Sequence, residues 1–153
     1  AADREALVRF VLLATFPPGL VPPPDAALQP HVARWLSAKA FLGVCWEQND
    51  VMLGACWASP VEPVLARDDA SGQPLHEVII SVVDTARGVG IGRRLLEGLV
   101  ECVDEHGLAG TVLSVSERNP FATSLYERAG FKATGRTKHG AFMMVRRRGP
   151  MSR

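Results

Sequence analysis

Arg87-Gly88-Val89-Gly90-Ile91-Gly92 puts one arginine and three glycines into six residues, between an apolar run and an amphipathic one. These residue types suit an anion. Glycine admits positive φ and lets backbone N–H groups approach a ligand with no Cβ in the way. If the segment that follows is a helix, its first turn adds N–H donors that have no intrahelical acceptor. Arg93 and Arg94 would lie in that turn, where the helix dipole disfavours a cation by roughly 0.3–1 kcal/mol each. A bound anion accounts for that placement, and so does a surface pair Arg93–Glu97 at i, i+4 spacing. The loop is not a Walker A loop, because no Gly-Lys-Ser/Thr triplet closes it. A dinucleotide-binding fold would want its glycines after the first strand, with an acidic residue about 20 positions later.

Three further residues have the chemistry to move protons. His76 and Glu77 are the ionisable side chains inside the apolar run His76 to Val83. In a strand they are adjacent and point to opposite faces, so at most one can face a reacting group. A histidine near pKa 6.5 is a competent base at neutral pH. Tyr126 is the single tyrosine of the chain and follows Asn119 by seven residues. Seven residues are about two helical turns, so Tyr126 shares a face with Asn119 and Ala122.

The elements that must position these groups follow from periodicity. Residues 4 to 16 carry Leu7, Phe10, Val11, Leu13 and Ala14 at helical spacing, with Asp3 placed as the cap. Pro17-Pro18-Gly19 and Pro22-Pro23-Pro24 then form a stiff linker, and Ala26 to Ala38 reads as a second helix with Leu28, Val32, Trp35 and Leu36 on one side. Phe41 to Trp46 and Val51 to Trp57 read as an antiparallel hairpin around Glu47-Gln48-Asn49-Asp50. Residues 59 to 74 are a proline-containing loop, and the strand His76 to Val83 is expected at the centre of the sheet. Ile91, Leu95, Leu96, Leu99, Val100 and Val103 form one stripe of a helix that stops at Gly107. Thr111 to Val115 is a strand, Asn119-Pro120 opens a helix that Gly130 closes, and Phe131 to Thr137 and Ala141 to Val145 complete the sheet. Trp35, Trp46 and Trp57 are expected in the core. Arg146-Arg147-Arg148 reads as a solvated tail.

At 153 residues the chain suits a single domain, residues 1–153, burying roughly two-thirds of its unfolded surface. Seventeen Lys and Arg against sixteen Asp and Glu leave a net charge of +1, so no broad nucleic-acid footprint is expected and any anion site is local. Cys45, Cys56 and Cys102 are odd in number and lie in apolar segments, which argues against a disulfide framework and for a reducing, cytoplasmic setting. No cysteine has an obvious metal partner. The apolar stretch Leu7 to Phe16 is too short to cross a bilayer and lacks a basic leader, so no membrane association is expected.

Two motifs in order, Arg87-x-x-Gly90-x-Gly92 and Asn119-x-x-Ala122-x-x-x-Tyr126-x-x-x-Gly130-Phe131, make the chain resemble the GCN5-related N-acetyltransferase family. The resemblance covers residues 75 to 133 closely and the hairpin 41 to 58 loosely. It implies an α/β fold with a mixed, mostly antiparallel sheet, splayed between the fourth and fifth strands and flanked by about four helices. It also implies acetyl-CoA as acyl donor, an amine acceptor of unspecified kind, and no metal. The resemblance puts the pyrophosphate of acetyl-CoA on Arg87, Gly88, Val89, Gly90, Ile91, Gly92 and Arg93, with Asn119 and Ala122 also against the cofactor. It implies Tyr126 near the thioester sulfur as general acid, and backbone groups of Ser81, Val82 and Val83 along the pantetheine arm. For the base it implies a strand residue, His76 or Glu77, and parity with Val82 puts His76 on the cofactor side. Glu47 and the loop 59–74 are expected to border the acceptor.

The physical requirements agree with that resemblance. Aminolysis of a thioester needs a neutral amine, a donor for the developing oxyanion and a proton for the leaving thiolate. Tyr126 can supply that proton with an O–H of unperturbed pKa ~10. The alternatives are a catalytically silent acyl-CoA-binding module and, more remotely, a nucleotide-binding protein. One departure stands out: the family begins with an edge strand before its first helix, and a cap at Asp3 leaves no room for it. The strand is then missing, trimmed or borrowed from another chain, and a bare sheet edge makes a homodimer a candidate assembly.

Overall fold

Alternation of apolar strands with amphipathic helices has a single economical solution, a sheet with helices on both faces. The computed structural model describes residues 2–16, 21–38, 42–137 and 140–149 and has this arrangement. Its elements are α1 (Ala2–Thr15), α2 (Pro30–Leu36), β1 (Leu42–Gln48), β2 (Val51–Ser59), β3 (His76–Val82), α3 (Ile91–Glu105), β4 (Gly110–Ser116), α4 (Pro120–Arg128), β5 (Lys132–Arg136) and β6 (Ala141–Arg147). The sheet order is β1-β2-β3-β4-β6-β5. Every neighbouring pair is antiparallel except β3 and β4, which run parallel.

Parity along β3 sorts the two layers. Val78, Ile80 and Val82 face α3 and α4, in a core with Leu95, Leu96, Leu99, Val103, Leu113, Phe131 and Met144. Ile79 faces α1 and α2, in a core with Phe10, Val11, Val32, Trp35 and Trp57. Five of the six residues of the α3 stripe, Ile91, Leu95, Leu96, Leu99 and Val103, are buried and Val100 is half-buried; each buried side chain contributes about 2 kcal/mol. Trp35 and Trp57 meet edge to face at 6.1 Å. Trp46 is only half-buried and carries the Arg94 guanidinium 5.8 Å above its ring.

Several expectations are corrected. Helix α1 already includes Ala2, so Asp3 lies in its first turn and does not cap it. The single helix expected over residues 26–38 is split into a 3-10 turn, Ala26–Leu28, and α2. Pro30 is the cause: it forces Gln29 into an extended conformation (φ −62°, ψ 138°), and Leu28 ends up 80% exposed instead of facing the core. The hairpin turn is two residues, Asn49-Asp50, both at positive φ (52° and 60°), because such a turn matches the twist of paired strands. Phe41 and residues 17–20 of the expected elements lie outside the described residues. Arg146 and Arg147 belong to β6 and are no tail. Arg146 pairs with both carboxylate oxygens of Asp104 at 2.9 and 2.7 Å, and Arg147 pairs with Asp69 at 2.7 Å. The parallel, splayed pair is the third and fourth strands as counted here, since the described residues contain no strand before α1. Among the described residues no helix is long and apolar enough to cross a membrane.

Candidate active site

The crevice begins where β3 and β4 stop pairing. Their register holds only at His76↔Thr111 and Glu77↔Val112, after which the strands diverge. On its other side β3 stays paired with β2 through Val82. The Val83 N–H donates to the Leu53 carbonyl at 2.9 Å. Antiparallel alternation therefore turns the backbone of Val83, Ser81 and Ile79 toward β2, and that of Val82, Ile80 and Val78 into the gap. Of Ser81, Val82 and Val83, Val82 turns its backbone toward the gap, its carbonyl accepting from Arg87 Nε, while Ser81 and Val83 turn theirs toward β2. Ile80, outside that set, also turns its backbone toward the gap, a direction that side-chain type does not reveal. The Ser81 side chain is buried on the opposite face, and its Oγ has no hydrogen-bond partner.

The open end of the gap leads to the Arg87–Gly92 loop. The Arg87 Nε donates to the Val82 carbonyl at 2.9 Å, and Nη1 lies 3.3 Å from Asp84. Gly88 and Gly90 sit at φ 80° and 85°, and a Cβ on either would project into open space. Gly90 caps α3, whose first hydrogen bond runs from Arg94 N–H to the Gly90 carbonyl at 3.2 Å. The N–H groups of Ile91, Gly92 and Arg93 consequently have no acceptor within the helix. The Ile91 side chain is buried, so it offers the site its backbone alone. Gly92 differs from its neighbours: it is helical, and its missing Cβ would meet Ile80 and Val82 at an ordinary 4.0 Å. Arg93 leans toward Glu97 at 3.7 Å, so the surface pair does form. Val89 is 74% exposed.

Helix α4 leaves the end of β4 and presents its apolar side to the same core. The Asn119 Oδ1 accepts from the Ala122 N–H at 3.1 Å, so this side chain is occupied as the helix cap. Tyr126 lies 5.9 Å from Phe131, ring edge to ring face. Its ring is largely buried. Its hydroxyl has no hydrogen-bond partner among the described residues, yet it is not one of the polar atoms sealed from solvent. Burial, and then the neighbouring Cys56, push the phenol pKa well above 10, so the hydroxyl keeps its proton at neutral pH.

His76 and Glu77 separate as parity requires. Glu77 faces α2, where Arg34 grips it at 2.9 Å (Nη1 to Oε1) and 2.8 Å (Nη2 to Oε2). Arg34 also donates to the Glu62 and Pro63 carbonyls at 3.2 and 2.9 Å, tying β3, α2 and the following loop together. Burial pushes the Glu77 carboxyl up against the opposing pull of Arg34. Glu77 is thus paired with Arg34 on the α1–α2 face, opposite the face that carries His76 and Tyr126. Nothing local in the sequence marks Arg34 as its partner, 43 residues away. His76 stands on the α3–α4 face at the closed end of the gap, and burial lowers its pKa below 6.5. Its ring is therefore neutral at pH 7.

Among the described residues no cluster of three or more His, Cys, Asp or Glu is arranged to hold a metal. An apolar groove of about 350 Å³ lies between α1 and the β1–β2 hairpin, lined by Leu7, Phe10, Cys45, Met52 and Trp57, away from the glycine loop.

The chain matches the Acetyltransferase (GNAT) family over residues 9–131. A mycothiol acetyltransferase of Parafrankia sp. (strain EAN1pec) is 34% identical over 110 residues, which are 66% of this chain and 33% of that protein. A mycothiol acetyltransferase of Geodermatophilus obscurus is 31% identical over 114 residues, 74% of this chain and 33% of that protein. The chain thus spans about a third of the length of the curated relatives it matches. Among solved structures, an acetyltransferase of the GNAT family from Streptococcus pneumoniae superposes with TM-score 0.69 at 20% identity, covering 97% of this chain and 95% of that one. A Salmonella typhimurium protein solved with its cofactor acetyl-CoA gives TM-score 0.68 at 20% identity, covering 99% and 92%. At these identities the likeness is one of fold.

Proposed function

The chain belongs to the acetyltransferase (GNAT) family, and from that premise we propose that it transfers an acetyl group from acetyl-CoA to a primary amine by direct attack on the thioester. The observation that carries the reading is the parallel pair β3–β4. It closes at His76–Glu77 and opens toward the Arg87–Gly92 loop, with an unpartnered, protonated Tyr126 hydroxyl on the adjoining helix. In this reading the Gly88, Gly90, Ile91, Gly92 and Arg93 N–H groups and Arg87 hold the pyrophosphate, and Asn119 and Ala122 shape the far lip. Val82 and Ile80 turn backbone donors and acceptors toward the extended pantetheine, and a backbone N–H there polarises the acetyl carbonyl.

The amine lone pair attacks the carbonyl carbon and the C–N bond forms. His76, neutral at pH 7, takes the proton the nitrogen loses, directly or through water. The C–S bond breaks, its electron pair stays on sulfur, and Tyr126 protonates the thiolate. Glu77 is left out as base because Arg34 occupies it. An amide and free CoA result.

The six-stranded sheet of residues 42–147, packed by α1 and α2 on one face and by α3 and α4 on the other, supports treating residues 1–153 as one acetyltransferase domain. The unpaired thiols Cys45, Cys56 and Cys102 support a cytoplasmic setting. The outer edge of β1 has no partner strand among the described residues, which supports a homodimer. The decisive experiment is CoA release from acetyl-CoA across an amine panel that includes the acceptor used by mycothiol acetyltransferases. Amine-dependent appearance of free thiol is the expected result. Binding of acetyl-CoA without thiol release for any amine would leave an acyl-CoA-binding module instead.

A further inference from the structure

Thr111, on β4, is 1% exposed, and its hydroxyl has no hydrogen-bond partner among the described residues. Burying a hydroxyl in this way is destabilising, whereas a valine of the same shape would fill the space without that cost. Its neighbours in the sheet give it a use. Alternation along β4 puts Thr111 on the α3–α4 face with Leu113 and Val115. In the parallel register it stands directly beside His76, about 4.8 Å away from strand to strand, and His76 is on that same face. On the other flank its register partner is Arg146. That guanidinium is committed to Asp104 through Nη1 and Nη2, and its Nε lies beside Gly130. One layer further along, the face is apolar, formed by Val78, Leu113 and Met144. His76 is therefore the polar side chain of this row that, like Thr111, has no hydrogen bond among the described residues. The two groups are complementary, since a hydroxyl oxygen can accept from an imidazole N–H.

We propose that Thr111 is a positioning residue for His76: its Oγ1 accepts a hydrogen bond from one ring N–H, so that the lone pair of the other ring nitrogen is turned to the gap. The ring reaches the hydroxyl by rotation about its own χ angles. This rests on the reading of His76 as base and deepens it. A neutral imidazole has two tautomers, and the hydrogen bond made by one nitrogen decides which of them carries the proton. Without Thr111 the tautomers compete, and part of the population presents an N–H to the amine instead of a lone pair. Once His76 has taken the amine's proton both ring nitrogens carry hydrogen, and the bond to Thr111 becomes charge-assisted and stronger. The hydroxyl therefore favours the protonated ring over the neutral one. No net charge in the surroundings competes with this effect. Arg146 on β6 and Asp104 on α3 neutralise each other, Tyr126 on α4 keeps its proton, and β2 brings only Cys56 and Ala58 to this face. Glu77 lies with Arg34 on the opposite face.

The test is Thr111→Val, which keeps the shape of the side chain and removes the hydroxyl. In long-range proton–nitrogen NMR spectra of the substrate-free protein, with the His76 ring assigned by its loss in His76→Gln, the parent should show one dominant tautomer and Thr111→Val a mixture. In amine-dependent acetyl transfer, kcat of Thr111→Val should fall about fivefold to tenfold, the effect of one hydrogen bond. The acid limb of its kcat/KM profile should move down by about half a unit to one unit, with the Kd for acetyl-CoA unchanged. Thr111→Ser should restore both the tautomer and the rate. Thr111→Val should melt at or above the parent, so a lost fold does not imitate the effect. In a His76→Gln background the same substitution should cost nothing further. A tautomer mixture already in the parent, parental kcat in Thr111→Val, or an equal loss in the His76→Gln background would overturn the assignment and leave acetyl transfer standing. A parent that releases no thiol with any amine would overturn the acetyl-transfer reading, and the spectra would still decide the pairing of His76 with Thr111.

Discussion

Removing one oxygen atom from Tyr126 separates chemistry from structure. The hydroxyl has no hydrogen-bond partner among the described residues and keeps some solvent contact, while the ring contributes its edge-to-face contact with Phe131 at 5.9 Å. Tyr126→Phe keeps the ring and breaks no bond, so stability should change by no more than about 0.5 kcal/mol. For a chain of this size that is roughly 1–2 °C in Tm. A positioned general acid typically contributes 10²–10⁴-fold in rate, so kcat for acetyl transfer should fall about a hundredfold or more with the Kd for acetyl-CoA nearly unchanged. The pH dependence gives an independent sign. Burial raises the folded phenol pKa above its unfolded value of about 10. The native state therefore holds this proton longer, the contribution to stability is complete below pH ~10, and it is lost as pH rises further. The parent should thus lose stability above pH 10 faster than the Phe variant. Steady-state kinetics, calorimetry and melting curves at pH 7 to 11 make the comparison. A variant that keeps parental kcat, or one that loses activity only in proportion to a lowered Tm, would refute the general-acid assignment.

The remaining predictions concern the cradle, the base and two ion pairs. Gly90→Ala forces a side chain into φ 85°, which should cost about 1–2 kcal/mol, visible as a lower Tm together with weaker CoA binding. Gly92 is helical with room for a methyl group, so Gly92→Ala should leave stability equal or higher, by up to about 1 kcal/mol, and any loss of CoA affinity there reports ligand approach alone. Burial lowers the His76 pKa, so the acid limb of the kcat/KM profile should fall below pH 6.5, and His76→Gln should remove that limb; an unmoved limb would assign it to another group. Arg34→Ala leaves the buried Glu77 carboxylate uncompensated and should cost about 3–5 kcal/mol, with much of it recovered in an Arg34→Met, Glu77→Leu double variant. Arg146 holds the Asp104 pKa below the usual carboxylate range, so its stabilisation is present above pH ~4 and is lost as pH falls through the folded value. Melting curves of Asp104→Asn should converge on those of the parent in acid.

Much of this protein was legible in the chain because its signals are local. A stripe at Leu95, Leu96, Leu99 and Val103 permits one buried helix face, Asn119-Pro120 is a helix start in any setting, and Arg87-x-x-Gly90-x-Gly92 needs only backbone freedom and a following helix to make an anion cradle. Those patterns determined the order of elements, the place of the loop and the position of Tyr126 on α4. Period-2 alternation also separated His76 from Glu77 correctly. The contributions of Ile80 and Arg34 depend on partners distant in the chain. Which backbone edges face the crevice is decided by the Val83–Leu53 hydrogen bond and by the divergence of β4. Glu77 on β3 is paired with Arg34 on α2, and Arg146 and Arg147 in β6 pair with Asp104 and Asp69. Local propensity and periodicity are properties of neighbouring residues. Register, burial and ion pairing arise only when remote segments exclude water between them.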